Sequence, residues 1–91
     1  MLEDVKAALS VTTNYFDAEI TANIEAAKID LTMGDVDIVD VTNPVTANAI
    51  KTYCGMMHQL NHGSIEKYEA LRESYEMQKK NMGMKTGFTE W

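Results

Sequence analysis

Three residues able to ligate metals or support nucleophilic catalysis recur at four-residue spacing: Cys54, His58 and His62. A continuous helix would place all three near one face, where they could bind zinc or copper or form a Cys–His nucleophile. However, no fourth ligand lies at a recognisable spacing, and Asn61-His62-Gly63 reads as a helix stop. No glycine-framed nucleophile or oxyanion cradle accompanies them. We therefore interpret them as a small buried thiol and two ordinary histidines, and expect no metal, no cofactor and no catalytic residue.

Three carboxylates at close spacing, Asp35, Asp37 and Asp40, invite comparison with a calcium loop. The EF-hand loop has oxygen ligands at alternate positions, glycine at the sixth position and glutamate at the twelfth. Val39, Asp40 and Thr46 stand where a ligand, the glycine and the glutamate belong. The pattern therefore favours a solvated acidic loop, whose surface would face a partner that must not bind to it.

The composition indicates one small domain that gains from partners. A chain of 91 residues buries only about 60–65% of the surface that its unfolded form exposes, so it is marginally stable alone. Its single cysteine excludes an intrachain disulfide and fits a reducing setting. No apolar run approaches the roughly 18–20 residues of a membrane span, and we expect neither a signal peptide nor contact with a membrane.

Charge is distributed unevenly along the chain. The formal net charge is −6, and nine of the fourteen acidic residues but only two of the eight basic residues fall within positions 1–40. An acidic front half repels nucleic acid, which argues against nonspecific DNA binding as the primary role. The short basic cluster Lys79, Lys80 and Lys85 is better explained as charge that complements a helix C-terminus than as a phosphate site.

Apolar periodicity and helix start and stop signals predict an all-α bundle of about four helices. One clear face has the helical spacing and consists of Phe16, Ile20, Ile24, Ala27 and Leu31. Gly34 ends this helix, while Asn43 before Pro44 is a strong start signal for the next. Asn14 can cap the second helix and Ser64 the fourth. The predicted helices cover roughly residues 2–9, 16–33, 44–61 and 64–81.

Two non-helical segments complete the predicted single domain of residues 1–91. Residues 35–43 alternate acidic and β-branched side chains, but a lone strand without a partner is unstable, so we expect an acidic loop. Residues 83–91 lack periodicity and are predicted to form an irregular tail that is flexible or ordered by a partner.

The chain resembles the small head–tail connector proteins of tailed bacteriophages, sometimes described as DNA-packaging proteins. The resemblance extends to about Lys80 and rests on the order and punctuation of segments rather than on a catalytic signature. The segments are Leu2-Glu-Asp-Val-Lys6-Ala-Ala-Leu9, Phe16-Asp-Ala-Glu-Ile20, Ile24-Glu-Ala-Ala-Lys28, Gly34-Asp-Val36, Asn43-Pro44 and Ala49-Ile50-Lys51-Thr-Tyr53-Cys54. After His58 the chain departs from many relatives, in which aromatic residues are common.

This resemblance implies a structural protein of the virion rather than an enzyme. Made in the host cytoplasm, it would form a homo-oligomeric ring beneath the portal protein and join it to the next head-completion or tail protein, while DNA passes through without specific binding. We expect the acidic loop to line the channel through Asp35, Asp37 and Asp40. We expect contacts with a neighbouring subunit or the portal at Met82, Met84, Phe88 and Trp91.

The alternative function is a small nucleic-acid-binding packaging or regulatory protein, with the third and fourth helices as a helix-turn-helix. The short turn at Asn61-His62-Gly63 permits it. However, the recognition helix would begin Ser64-Ile-Glu-Lys-Tyr-Glu, and carboxylates at that end face phosphates and base edges unfavourably.

Overall fold

The computed structural model describes the backbone of residues 1–33 and 42–87 and the side chains of residues 1–32 and 42–82. Within these ranges the chain forms helices and no strand, which confirms the predicted all-α class. The elements are α1 (Leu2–Ala8), α2 (Asp17–Met33), α3 (Pro44–His62) and α4 (Ile65–Gly87). Most of the predicted acidic loop, and Gly34 before it, lie outside the described residues.

Helix α2 packs with the face that the sequence predicts. Four of its apolar residues are buried in the core, and Phe16, just before the helix, packs against them while partly exposed. The buried residues are Ile20, Ile24, Ala27 and Leu31. Their regular spacing leaves the other positions of α2 free for polar groups.

Helix α3 lies at the centre of the bundle and packs against α1, α2 and α4. Its start is as predicted: Asn43 Oδ1 accepts hydrogen bonds from the backbone N–H groups of Val45 (2.8 Å) and Thr46 (3.4 Å), and Pro44 occupies the first turn. The sequence predicts an apolar face for this helix that consists of Val45, Ala49, Tyr53, Met56, Met57 and Leu60. This prediction is partly wrong. Val45 and Leu60 are 46% and 45% exposed, whereas the buried residues are Thr46, Ala49, Ile50, Cys54, Gly55 and Met56.

Helices α3 and α4 form an antiparallel hairpin joined at Gly63 and Ser64. Ser64 caps α4 as predicted, since its Oγ accepts the backbone N–H groups of Glu66 (3.2 Å) and Lys67 (3.4 Å). Far from this turn, Gln78 Nε2 donates to Thr52 Oγ1 at 3.0 Å. Contact at both places means that the two helices lie side by side along most of their length.

Helix α4 ends later than predicted. It continues to Gly87 rather than stopping near residue 81, so the backbone of the first five residues of the expected irregular tail is helical. A glycine inside a helix costs only about 1 kcal/mol relative to alanine, and the neighbouring Met and Lys residues are good helix formers. The loss of apolar periodicity after residue 82, on which the predicted end rested, is therefore not a helix stop. Residues 88–91 lie outside the described part of the chain.

The link between α1 and α2 also differs from the prediction. Asn14 was expected to cap α2, but its Oδ1 accepts a hydrogen bond from Lys6 Nζ at 2.9 Å. Lys6 is 6% exposed. Its Nζ also lies 2.9 Å from Asp17 Oδ1, where the two groups form an ion pair but not a hydrogen bond. A buried ammonium group requires such partners, so Asn14 serves the lysine instead of the helix end.

Helix α1 ends in a Schellman motif formed without glycine. The N–H of Val11 donates to Lys6 O (2.9 Å) and the N–H of Ser10 to Ala7 O (3.1 Å). These bonds require a left-handed residue between helix and loop, and Ser10 has φ 58°. Residues other than glycine adopt this conformation at an energetic cost.

Replacing Ser10 should therefore change stability in opposite directions according to the new residue. We expect Ser10→Gly to raise the free energy of unfolding by about 0.5–1 kcal/mol, because glycine relieves the left-handed strain at some cost in unfolded-state entropy. Ser10→Val should lower it, because a β-branched residue fits this conformation worst. Urea denaturation measures both, and Ser10→Val at least as stable as Ser10→Gly would contradict the assignment.

Candidate interaction surface

The three residues at four-residue spacing do not form one chemical site. Cys54 is completely buried in the core, and burial raises the pKa of its thiol to about 12. A thiol held in its protonated form is neither a nucleophile nor a metal ligand at neutral pH. Among the described residues, no three His, Cys, Asp or Glu side chains are grouped so that they could hold a metal ion.

The two histidines instead pack around Phe16. The Phe16 ring lies 5.2 Å from the His58 ring, edge to face, and 4.8 Å from the His62 ring, measured between centroids. His62 Nε2 lies 2.8 Å from Glu19 Oε2 and thereby joins the last turn of α3 to the first turn of α2. Both groups are also placed favourably for the helix dipoles, with the carboxylate at an N-terminus and the imidazole at a C-terminus.

Asp30 is the centre of a second polar cluster, which ties α2 to α4. Tyr75 Oη donates to Asp30 Oδ2 at 2.6 Å, and Lys79 Nζ lies 3.2 Å from the same oxygen. Lys79 Nζ also lies 5.5 Å from the centroid of the Tyr75 ring. Burial, and then the hydrogen bond to Asp30, raises the pKa of Tyr75 above its ordinary value. Lys79 therefore has a structural role within the chain, beyond the helix-end charge that the sequence indicated.

A groove of about 340 Å³ opens where α1, α3 and α4 meet. It is lined by Ala8 of α1, by Leu9 at the C-cap of that helix and by Leu71 of α4. The lining residues of α3 are Lys51, Thr52, Gly55, His58 and Gln59. Gly55 lies at this junction, and a Cβ there would stand 3.3 Å from Leu9 Cδ2 and 3.6 Å from Leu71 Cδ1. Because this helix position carries no side chain, the leucines of two other helices can approach α3 closely. We call this feature the α3 groove.

Lys51 gives the α3 groove an uncompensated positive charge. The other half-buried or buried lysines of the described chain each have a carboxylate partner: Lys6 has Asp17, Lys28 has Glu25 and Lys79 has Asp30. Lys51 is only partly exposed, yet no carboxylate of the described chain pairs with it. The groove therefore offers a cation beside apolar side chains, a combination suited to an acidic protein surface.

Large apolar side chains also remain exposed outside the groove. Tyr15 is the extreme case at 83% exposed, and its ring makes an edge-to-face contact with Phe16. Such residues are common singly on protein surfaces, so they indicate where a partner could gain contact area and do not identify it. The others with more than half of their surface exposed are Ile29, Ile65 and Met77.

The site residues predicted from sequence fall largely outside the described part. Asp35, Asp37, Asp40, Phe88 and Trp91 lie there entirely. For Met84 the structure describes only a helical backbone position in α4. Met82 belongs to the hydrophobic core and is 6% exposed, so little of its surface is available to a neighbour in this state.

The sequence predicted neither the α3 groove nor the polar cluster around Asp30. Each joins residues that are distant in the chain, and only the apolar spacing of Leu71 and Tyr75 indicated that these positions face inward.

No helix within the described ranges combines the length and the apolarity that crossing a bilayer requires. No protein-family model, curated protein or solved structure matches the chain.

The buried thiol should make the protein sensitive to alkaline pH. Because the pKa of Cys54 is raised from 9.0 to about 12 by burial, the unfolded chain loses this proton first as the pH rises. The contribution of Cys54 to the free energy of unfolding should therefore be constant well below pH 9 and fall progressively between about pH 9 and pH 12. Chemical denaturation at a series of pH values measures this slope.

Cys54→Ala is the informative comparison. This variant should be less stable at neutral pH because of the cavity, but its stability should decline less steeply above pH 9. The decline that remains at higher pH belongs to Tyr53 and Tyr75, whose pKa values are also raised by burial. An equal slope in the two proteins between pH 9 and pH 10 would show that the thiol does not carry the effect.

Proposed function

We propose that the protein is a structural head–tail connector of a tailed bacteriophage. In this role it forms a homo-oligomeric ring under the portal, contacts the downstream head-completion or tail protein, and lets DNA pass without binding it. The protein would act in the virion at the head–tail junction and would carry out no catalysis. The two other components, portal and downstream protein, are partners within this proposal.

The observation that carries the proposal is the agreement between the connector-like sequence segments and the elements of the fold. The first segment, Leu2 to Leu9, covers α1, and the next two supply three of the four buried residues of α2. Asn43-Pro44 is the N-terminal cap of α3. Ala49 to Cys54 supplies three fully buried core residues of α3, namely Ala49, Ile50 and Cys54. The resemblance therefore concerns residues that determine the fold rather than scattered surface positions.

The geometry of the α3–α4 hairpin disfavours the DNA-binding alternative. A helix-turn-helix has its two helices crossing at about 90–120°, so that the second can enter the major groove. Here the contact between Gln78 and Thr52 keeps the helices side by side far from the turn. The exposed start of α4 also carries Glu66 and Glu69, whose charges phosphate groups would repel.

The direct test is electron microscopy of the purified protein with and without the portal protein of the same virus. We expect ring-shaped assemblies, or additional density on one end of the portal ring. In parallel, a DNA mobility-shift experiment at moderate salt should detect little binding. Failure to bind the portal under any condition, together with tight salt-resistant DNA binding, would overturn the proposal.

Removing residues 88–91 tests the predicted contribution of Phe88 and Trp91 to assembly. Truncation after Gly87 leaves the whole of α4 in place, so we expect the unfolding midpoint to stay unchanged. Attachment to the portal should decrease, because aromatic anchors dominate interface energetics. Phe88→Ala/Trp91→Ala should reproduce the loss, and Thr89→Ala/Glu90→Ala is the matched control. Undiminished attachment of the truncated protein would remove the tail from the interface.

Neutralising the acidic loop tests whether it faces the DNA channel. Replacing Asp35, Asp37 and Asp40 by Asn removes three negative charges, and DNA should then pass more slowly through assembled particles because repulsion keeps it mobile. Glu3→Gln/Asp4→Asn/Glu25→Gln makes the same change of charge at exposed positions of α1 and α2 and should leave passage unaffected. Location of the three aspartates on the outer wall of an assembled ring would contradict the prediction.

A further inference from the structure

We infer that the α3 groove binds the acidic outer face of α4 from a second copy of this chain. The inference rests on the proposed function, because it names the contact through which ring subunits would join. Two surfaces of one subunit are involved: the α3 groove, with Lys51, and the acidic face, defined as Glu66, Glu69 and Glu73.

The acidic face is electrostatically unfavourable within one subunit. Its three glutamates lie at three- and four-residue spacing on one side of α4, where like charges destabilise a helix. All three are exposed, and no basic side chain of the described chain pairs with them. A cation supplied by a partner would relieve this repulsion.

The α3 groove offers such a cation with matching dimensions. Lys51 lies in the groove without a carboxylate partner among the described residues. A second cation, Lys67, lies one helical turn before Leu71, which also lines the groove. Glu66 and Glu73 are two turns apart, about 10 Å along the axis of α4. The part of α3 that lines the groove, from Lys51 to Gln59, has a similar length of about 12 Å. A helix ridge from a neighbour can therefore lie along the groove.

The two surfaces face in different directions on the same helix. Leu71 directs its side chain into the α3 groove, whereas Glu69 and Glu73 are each two residues away, about 200° around α4. In each copy, the Leu71 side of α4 can thus form a wall of that copy's own groove, while the acidic face on the other side enters the groove of the next copy. This head-to-tail contact closes into a ring when the rotation per subunit fits.

Charge reversal provides the decisive experiment, read out by sedimentation velocity at low and moderate salt. We expect wild type to self-associate, and Lys51→Glu or Glu69→Lys/Glu73→Lys to associate about tenfold more weakly or worse, since like charges are juxtaposed. The combined variant, Lys51→Glu/Glu69→Lys/Glu73→Lys, should recover association. Lys28→Glu makes the same charge change on α2 and should behave as wild type. Thermal unfolding checks that each variant is folded.

Cysteine cross-linking supplies an independent measurement. Cys54 is buried and the only natural cysteine, so engineered thiols are the reactive ones. A mixture of an Ala8→Cys protein with an Ala70→Cys protein should form an interchain disulfide between groove and outer face. An Ala8→Cys protein mixed with Ala22→Cys, an exposed position on α2, should form much less.

The outcomes separate this inference from the proposed function. A wild type that stays monomeric, or association that Lys51→Glu leaves intact, overturns the groove contact, and portal binding in the same preparations still tests the connector role. Recovery in the combined variant together with the Ala8–Ala70 cross-link supports the contact. If those results appear but no variant or wild type binds the portal, the proposed function fails and the self-contact stands.

Discussion

Small side chains on α3 allow three other helices to pack against it at once, and the rest of the structure depends on this. Ala49, Cys54 and Gly55 are all buried, and at Gly55 the leucines of α1 and α4 approach within van der Waals distance of where a Cβ would be. A bulky residue there would separate α1 from the hairpin. In a chain of 91 residues such dense packing matters, because little other apolar surface is available to be buried.

Polar links then fix how α1, α2 and α4 are arranged around α3. Lys6 joins α1 to the start of α2, Glu19 joins α2 to the end of α3, and Asp30 joins α2 to α4. Exposed ion pairs contribute little energy, and the partners of Glu19 and Asp30 are partly exposed. Lys6 is different, because its ammonium group is buried and would be strongly unfavourable without Asn14 and Asp17. These links therefore act mainly by selecting one arrangement of the helices.

Local signals in the sequence predicted local structure well. The periodic face of α2 and the Asn43-Pro44 cap depend on residues within a few turns of each other, so their pattern was sufficient. The predicted face of α3 was partly wrong because its burial is decided by three neighbours rather than one. The sequence predicted that Asn14 caps α2, but its side chain instead accepts a hydrogen bond from Lys6, eight positions earlier. This bond depends on how α1 and α2 pack, which the local pattern does not contain. The link between Asp30 and Tyr75 spans 45 positions, so the helical spacing of Tyr75 indicates that it faces inward but not which carboxylate it meets.

The internal pairing of charges also determines what this acidic protein presents to a partner. Most carboxylates of α2 are used inside the subunit, by Lys6, His62, Tyr75 and Lys79. Among the described residues, the charges without an ion-pair partner include the acidic face of α4 on one side and Lys51 in the α3 groove on another. Unlike charges on opposite sides of one molecule favour head-to-tail association and disfavour face-to-face pairing of identical surfaces. This distribution suits the head-to-tail contact that we propose, in which each copy would present to the next the charge that its own fold leaves unpaired.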